Sequence, residues 1–372
     1  MIFLDNDLPN ENPFISKNGQ HQLTAGPLLN ERGELNECGY AFQLVKQYQR
    51  KNVRAGLFRT KEWDYYLIYN GHYGVALTID DNSYMGLVSM SFLNFDERKE
   101  QTASPMFLFP NGKLHFPTDS SAGLISASGK GYRFSFETNN GVRMLYAHLD
   151  EFGSFGPAEA EFTLTDPPQD TMVIATPWAG HPKHFYYNQK IIGMRAEGMF
   201  SFGGRTYEFV PEQSFGLLDW GRGAWTYENT WYWSAAQGIS EDHVFGFNLG
   251  YGFGDTTAAS ENMLFCDGKA SKLGRIRFVI PKDTGDGSMS PDTEYLSPWV
   301  FTSDDARFEM TFSPILDRSS CTNAGILLSD QHQVFGYFDG TAVTDDGRAV
   351  AVQHFLGFAE KVVNFQGKVH FC

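Results

Sequence analysis

Short segments that alternate apolar and polar residues, separated by turns rich in Gly and Asn, recur along almost the whole chain. Segment 63–70 (WDYYLIYN) and segment 73–82 (YGVALTIDDN) are separated by Gly-His, which predicts a β-hairpin. Segment 137–143 (ETNNGVR) contains Asn-Gly, a pair that adopts the positive φ angles of a two-residue hairpin turn. Strand–helix–strand spacing is absent, so the chain is predicted to be all-β and antiparallel. Segment 40–51 is equally compatible with a short helix.

Composition and length agree with an all-β protein of two domains. The 372 residues include 33 Phe, 17 Tyr and 38 Gly, and these residue types favour strands joined by tight turns. The Pro-rich segment 165–178 (TDPPQDTMVIATPW) and the residues just after it form the clearest break between two similar halves. We therefore predict two β-barrel or β-sandwich domains, residues 1–190 and residues 191–372.

The charge and the motifs exclude several classes of partner. A net charge of −15 repels nucleic acid and anionic membrane surfaces. No run of 18 apolar residues predicts a membrane-spanning helix, and the first residues (MIFLDNDLPNENPF) lack a signal-sequence pattern, so we expect a cytoplasmic protein. The four cysteines form no C-x-x-C pair, and no phosphate-binding glycine motif occurs, so neither a metal nor a cofactor is expected. No pattern indicates the oligomeric state.

Residues 215–238 (FGLLDWGRGAWTYENTWYWSAAQG) contain four of the seven tryptophans, together with an Asp and an Arg. In a strand from 225 to 233, alternate side chains would form an aromatic wall suited to an apolar ligand: Trp225, Tyr227, Asn229, Trp231 and Trp233. Gly221 and Gly223 suggest a turn before that strand, which would bring Arg222 near Asp219.

The contact between Asp219 and Arg222 decides the predicted chemistry. An Arg222 at close range would favour the ionised carboxylate, which serves as a base or a ligand anchor. With Arg222 at a distance, desolvation among the indole rings would favour the protonated carboxyl, a general acid. A purely structural ion pair in a core is the third interpretation of the same residues.

Two further segments contain candidate site residues. In segment 180–190 (GHPKHFYYNQK), His184, Tyr186, Asn188 and Lys190 alternate with the other side chains, and this row would line a ligand cavity or face solvent. Tyr187, Asn188 and Lys190 are taken as candidate substrate-binding residues, as is Trp220. In segment 259–268 (ASENMLFCDG), Glu261 is a candidate acid–base partner of Asp219 or, equally, a turn or bulge residue, and Asn262 is a candidate binding residue.

An ordered series of motifs resembles a known family. GPLLNERGELNECGYA, KHFYYNQKIIGMRAEG, FGLLDWGRGAWTYENTWYW, NLGYGFGDTTAASENMLFCDGKASKL and the closing FGYFDG…GFAE resemble the domain of unknown function 2804 family. The resemblance extends from about Gly26 to Glu360. That family is more distantly similar to carotenoid hydratases of the hydroxyneurosporene-synthase type and to lipocalin-like pericyclases.

The resemblance implies two lipocalin-like domains that act on apolar, often polyene, substrates without a redox cofactor. Those relatives carry an Asp followed by Trp-Gly and a Trp-rich strand. Asp219, Trp220 and Gly221, then Trp231 and Trp233, match these places. The resemblance implies that Asp219 protonates an alkene and that the tryptophans stabilise the cation. Arg222 is a departure from the expected pattern, because it would keep a nearby carboxylate ionised or bind an anionic substrate group.

Three function classes therefore remain open. The first is a cofactor-independent hydratase, isomerase or cyclase, of the lyase or isomerase type, for an apolar or aromatic small molecule. The second is a binding protein for lipid-like ligands, in which the same aromatic wall holds a ligand without chemistry. The third is a carbohydrate-active enzyme with Asp219 and Glu261 as its paired carboxylates.

Overall fold

The computed structural model describes residues 19–323 and 327–366, and the expectation about the first residues of the chain lies outside these ranges. Within them the regular structure is β, apart from two 3-10 turns at Arg50–Asn52 and Gly153–Phe155. Segment 40–51 is not an α-helix, since it contains two short strands and the first of these turns. No helix in the described part of the chain is long and apolar enough to cross a bilayer.

Sixteen strands precede residue 225, and nearly all join one antiparallel sheet. They are β1 (Gly26–Pro27), β2 (Gly39–Ala41), β3 (Lys46–Gln47), β4 (Thr60–Tyr69), β5 (Tyr73–Asp81), β6 (Met85–Asn94), β7 (Lys99–Ala103), β8 (Met106–Leu108), β9 (Gly123–Gly129), β10 (Tyr132–Asn139), β11 (Val142–Leu149), β12 (Ala158–Thr165), β13 (Met172–Trp178), β14 (His181–Phe202), β15 (Arg205–Phe209) and β16 (Phe215–Ala224). The main strand order is β7-β6-β5-β4-β16-β14-β12-β11-β10-β9, with β2, β8, β13 and β15 attached at its margins and β1 paired with β3.

The remaining nine strands form a second antiparallel sheet. They are β17 (Asn229–Ser240), β18 (His243–Tyr251), β19 (Met263–Cys266), β20 (Lys269–Lys272), β21 (Ile276–Val279), β22 (Trp299–Ser303), β23 (Phe308–Asn323), β24 (Leu327–Val343) and β25 (Ala349–Gln366). Their order is β20-β19-β18-β17-β25-β24-β23-β22-β21. The prediction of an all-β protein with two lipocalin-like antiparallel sheets is confirmed.

The predicted hairpins form as the turn residues suggest. The Gly-His pair joins β4 to β5, with Tyr69 opposite Gly74. Asn140 and Gly141 join β10 to β11 with φ angles of 50° and 81°. An Asn tolerates a positive φ better than most residues and a Gly is unhindered there, which is why this dipeptide directs the hairpin.

The sheets change near residue 225, whereas the sequence analysis places the boundary at residues 190/191. Those residues lie inside β14, which pairs with both β12 and β16 of the first sheet. The physical reason is that β16, which follows the Pro-rich segment in sequence, pairs with β14 on one side and with β4 on the other, and so joins β14 to the first sheet. We therefore propose the division between the two units at residues 225–228, the link from β16 to β17.

Three apolar cores fill the molecule. Each sheet curls around its own core. In the first sheet, the ring centroid of Tyr66 on β4 lies 5.2 Å from that of Phe136 on β10, although β4 and β10 are far apart in the strand order. A third core lies between the sheets, where side chains of β4, β14 and β16 face side chains of β17, β24 and β25. Residues on these strands therefore alternate between a core inside one sheet and the layer between the two sheets.

Candidate functional site

The middle layer contains polar side chains at its centre, and their positions follow from strand parity. On β14, Tyr186, Asn188 and Lys190 face this layer, and on β16 Asp219 does so. We call these four residues the seam site, together with the second-sheet residues that meet them: Trp231, Trp233, Asn248, Glu261, Gln333 and Glu360. The row of alternating polar residues on segment 180–190 thus points inward, towards the second sheet.

Asp219 is held by residues of the neighbouring strand. Lys190 Nζ lies 2.9 Å from Asp219 Oδ1, and the Asn188 amide donates to the same oxygen over 2.6 Å. Both partners are almost fully buried, and Lys190 Nζ also lies 4.2 Å above the ring of Trp233. Within the described residues no donor reaches Oδ2, the second oxygen of Asp219. One oxygen is therefore anchored, and the other remains available as a proton acceptor.

The second sheet supplies two more buried carboxyl groups. Glu261 precedes β19, and its Oε2 lies 3.5 Å from the Asn248 amide, which itself bonds the Glu261 carbonyl at 2.9 Å. Glu360 on β25 accepts from the Trp231 indole N–H at 2.8 Å and from the Gln333 amide at 3.0 Å. Glu360 is thus fully hydrogen-bonded, whereas Glu261 has only one long contact to its carboxyl group.

Burial makes both glutamates weaker acids. The pKa of Glu261 is raised chiefly by desolvation; the charge of Lys190 lowers it and that of Asp219 raises it. The pKa of Glu360 is raised to about 6, again chiefly by desolvation, against the indole hydrogen bond from Trp231. Since Lys190 and Asp219 act on both glutamates, all four groups form one electrostatic cluster.

Tyr186 adds a phenol to this cluster. Its hydroxyl lies 3.4 Å from Lys190 Nζ, and desolvation raises the pKa of Tyr186 well above its usual value. The charges of Glu261, Asp219 and Glu360 raise it further, which places the phenol near all three carboxyl groups. A phenol that stays protonated in this setting is a hydrogen-bond donor for a bound ligand.

Aromatic rings enclose one side of the cluster. Trp63 stacks on Tyr186 with ring centroids 6.0 Å apart and meets Trp225 edge-on at 5.2 Å. Trp178 stacks on Trp225, and Phe253 packs against both of them at about 5 Å. The rings of Trp63, Trp178 and Trp231 are only half-buried, so this aromatic enclosure reaches the surface. It presents apolar, electron-rich faces next to the carboxyl groups.

Arg222 does not contact Asp219, contrary to the turn inferred from its flanking glycines. Strand β16 is continuous from Phe215 to Ala224, so Arg222 points into the core inside the first sheet, which we call the first core. There its guanidinium lies 2.9 Å from Asp64 Oδ1, donates to the Trp63 carbonyl at 2.7 Å, and covers the ring of Trp220 at 4.1 Å. The predicted contact between Arg222 and Asp219 is therefore wrong, because Asp64 is the carboxylate that Arg222 pairs with.

The glycines around Arg222 serve close packing and not a turn. A Cβ at Gly221 would overlap the indole ring of Trp63, and one at Gly223 would collide with the carbonyl oxygen of Phe185. Neither glycine has a positive φ angle. The bare backbone of β16 is therefore what allows Trp63 to lie flat over the strand and stack on Tyr186.

Other predicted site residues lie away from the cluster. Trp220 and Tyr187 face the first core, where the hydroxyl of Tyr187 donates to the Lys46 carbonyl at 3.0 Å. Asn229 bonds the Thr226 carbonyl at the start of β17, and Asn262 ties the backbone of Gly250 to that of Gly274. The residues that the fold does bring together are Asn188, Lys190, Asp219, Trp225, Trp231, Trp233 and Glu261.

Sequence reasoning missed several residues of the seam site. Tyr186 belongs to the same alternating row as Lys190, so parity was the signal that could have placed it ahead of Tyr187. Trp63 lies in a strand with no motif around it, and Phe253 and Glu360 lie in family motifs remote in sequence from Asp219. Only the packing of the two sheets brings these three to Asp219.

A separate cleft of about 420 Å³ lies at one end of the first sheet. Its walls include Phe92, Phe202 and Tyr207, with Lys99 and Arg205 at its rim. No seam-site residue lines it. Because it lacks convergent buried titratable groups, we base the candidate site on the chemistry of the seam and not on this cleft.

Residues 20–365 match the family described as Domain of unknown function (DUF2804), so the chain is a member of that family. No curated protein matches the sequence. The resemblance inferred from the motifs is thereby confirmed for the family itself.

Three solved structures are similar to this chain to different degrees. An AttH-like protein from Nitrosomonas europaea is 12% identical, with a TM-score of 0.50, and the match covers 84% of this chain and 93% of that one. Kievitone hydratase from Nectria haematococca is 12% identical, with a TM-score of 0.48 over 92% of this chain and 97% of the other. CghA with Sch210972 is 12% identical, with a TM-score of 0.44 over 92% and 99% of the two chains. At this identity, the first of these similarities establishes the fold and no activity.

Proposed function

We propose that this protein is a cofactor-independent enzyme of the hydratase, isomerase or cyclase type. It would donate a proton to an apolar or aromatic small molecule and accept one in return. The observation that carries the proposal is that an anchored Asp219 lies near enough to the buried Glu261 for its charge to raise the pKa of Glu261. One carboxyl is held by a lysine and an amide, and the other is buried with a raised pKa. A proton donor and a proton acceptor together support acid–base catalysis, and we propose these two carboxyl groups for the two roles.

The roles follow from the hydrogen bonds. Glu261 donates its proton to an alkene or enol carbon of the substrate, because its carboxyl makes only one long contact in the resting site. Asp219 accepts a proton through Oδ2, either from an attacking water molecule or from a neighbouring carbon. Lys190 and Asn188 keep Asp219 in place through Oδ1. The proton that leaves Glu261 is thus balanced by the one that Asp219 takes up.

The aromatic enclosure defines the substrate class. Trp63, Trp225 and Phe253 offer flat apolar surfaces, and their π-faces stabilise the positive charge that develops on protonation. The Tyr186 hydroxyl and Lys190 offer polar contacts at one end. The substrate we propose is therefore a largely apolar molecule with one oxygen-bearing end.

The test uses the purified full-length protein and a small-molecule extract of its host cells, incubated in D₂O. We expect mass spectrometry to detect a metabolite that gains deuterium or the elements of water with the wild-type protein. Asp219→Asn and Glu261→Gln should each reduce this conversion by at least about 100-fold, the scale of general acid–base contributions. The surface variant Glu159→Gln, on β12, is the matched control and should keep full activity.

The alternative of a lipid-like ligand carrier gives a different result. Native mass spectrometry would then show an extract component bound without conversion, and Asp219→Asn and Glu261→Gln would affect binding alone. Conversion that survives in both carboxyl variants would disprove the acid–base roles.

A further inference from the structure

Two tight hairpins of the second sheet end at the same place, far from the seam site. Glu241 and Asp242 join β17 to β18, and Asp267 and Gly268 join β19 to β20, all four with positive φ angles between 48° and 78°. Strands β18 and β19 are neighbours, with Phe245 opposite Cys266. The first residue of β18 therefore lies beside the end of β19.

This arrangement gathers three different metal-ligating side chains. His243 Nδ1 lies 2.6 Å from Asp267 Oδ2, and Asp267 Oδ1 also accepts from the backbone N–H of Val244 at 3.1 Å. One ligand atom from each of His243, Cys266 and Asp267 lies within 4.8 Å of the other two. His243 and Cys266 are half-buried and Asp267 is exposed, so a metal ion has access from solvent. In the described part of the chain no other such group of three is found.

We propose that His243, Cys266 and Asp267 bind one divalent transition-metal ion of the zinc class, with water as the fourth ligand. An imidazole, a thiolate and a carboxylate are the donors that zinc prefers, whereas magnesium and calcium favour oxygen ligands alone. With a neutral imidazole, the thiolate and the carboxylate balance the two charges of the ion.

The distances suit a small tetrahedral ion after a modest adjustment. Ligand atoms around tetrahedral zinc lie about 3.3–3.8 Å apart, as follows from metal–ligand bonds of about 2.0–2.3 Å. The 2.6 Å between His243 Nδ1 and Asp267 Oδ2 must open to that range, and separations of up to 4.8 Å must close to it; side-chain movements of about 1 Å achieve both. The anchored Asp267 supplies the fixed side of the site.

Neighbouring charges affect the thiol in both directions. Burial raises the pKa of the Cys266 thiol, the charge of Arg348 lowers it, and the charges of Asp267 and Asp346 raise it further. The same two aspartates attract a cation, while Arg348 repels it. No sequence motif indicates this site, since His243 and Asp267 are 24 residues apart and belong to different hairpins.

The test is a titration of the full-length, chelator-treated protein with Co²⁺, followed by Zn²⁺. We expect a thiolate-to-cobalt charge-transfer absorption that Zn²⁺ abolishes. Cys266→Ser should remove this absorption, and His243→Gln should weaken Co²⁺ binding by at least about 10-fold. Cys38→Ser is the matched control, because Cys38 is the other half-buried free thiol among the described residues, and it should leave the absorption unchanged.

Two results would overturn the site. One is a wild-type protein without the charge-transfer absorption at saturating Co²⁺. The other is an absorption that persists in Cys266→Ser or disappears in Cys38→Ser. Circular dichroism of the metal-free variants checks folding, and His243→Gln retains both thiols should Cys266→Ser fail to fold. The outcome is independent of the proposed enzyme activity, since neither hairpin turn contributes to the seam site.

Discussion

Replacement of Arg222 by Met tests whether this arginine stabilises the first core, as its contacts indicate. Met fills a similar volume but has no charge and no donor. Arg222→Met therefore removes the 2.9 Å contact to Asp64 and the hydrogen bonds to the carbonyls of Trp63, Gly221 and Pro117. The Asp64 carboxyl would stay buried with no ion-pair partner, and only the more remote charge of Arg143 would act on it.

The magnitude follows from burial. Arg222 is 0% exposed and the side chain of Asp64 is 9% exposed, so solvent screens the pair very little. Removing one partner of a buried ion pair costs about 3–5 kcal/mol, because the other charge is left uncompensated. We expect a loss of this size in the free energy of unfolding, a large part of the roughly 5–15 kcal/mol of a typical domain.

The loss should also depend on pH. Burial raises the pKa of Asp64 and Arg222 lowers it, so the variant has a carboxyl whose pKa is raised further. The folded variant then binds more protons than the unfolded chain, and its free energy of unfolding falls as pH rises through the raised pKa. The loss in the free energy of unfolding caused by Arg222→Met is therefore smaller in mild acid than at neutral pH.

Urea unfolding at about pH 5 and about pH 8, followed by tryptophan fluorescence, measures both effects, and Trp220 lies directly beside the guanidinium. Exposed Arg205, replaced by Met, is the control. The double variant Arg222→Met/Asp64→Leu should recover most of the loss, because no unpaired charge remains. A loss below about 1 kcal/mol, the level of a surface ion pair, would refute the buried-pair reasoning.

Three further changes test the seam site. Gly221→Ala should lower the free energy of unfolding by about 1–3 kcal/mol and displace the indole ring of Trp63. Gly71→Ala is the control, because the space around its Cβ is open. Thermal melts and near-ultraviolet circular dichroism compare the two variants. The pKa of Glu360 is raised from 4.5 to about 6, so the free energy of unfolding should fall by about 2 kcal/mol as pH rises through this interval. Unfolding measured across this pH range should show no such fall in Glu360→Gln. Lys190→Met should move that fall to higher pH, since the lysine charge lowers this pKa; an unmoved profile would separate Lys190 from the cluster.

Much of the strand pattern was accessible from local sequence. Alternation predicted the β4–β5 hairpin, and Asn140-Gly141 predicted its own turn, because both signals act between residues close in the chain. The boundary that we propose at residues 225–228 was not accessible from local sequence. Whether β14 and β16 join the first sheet or the second depends on pairing with β12 and β4, which are remote in sequence.

For the site as well, local sequence predicted some features, and others depended on the packing of distant strands. Asp219 and Lys190 are opposite one another in the β14–β16 register, and strand parity alone could not say which face of β16 would meet the second sheet. Gly221 and Gly223 were interpreted as a turn because glycine permits one, yet here they are needed for the approach of Trp63 and of the Phe185 carbonyl. A glycine in a sequence does not tell which of its two uses applies.

The amino-acid sequence by itself determined the all-β antiparallel character, the main hairpins and the family, because these depend on alternation, turn residues and ordered motifs. Only the tertiary structure decided that Asp219 pairs with Lys190, that Arg222 pairs with Asp64, and that Glu261 comes from the second sheet. The physical reason is that a strand has two faces, and which face is buried against which partner depends on the packing of distant segments.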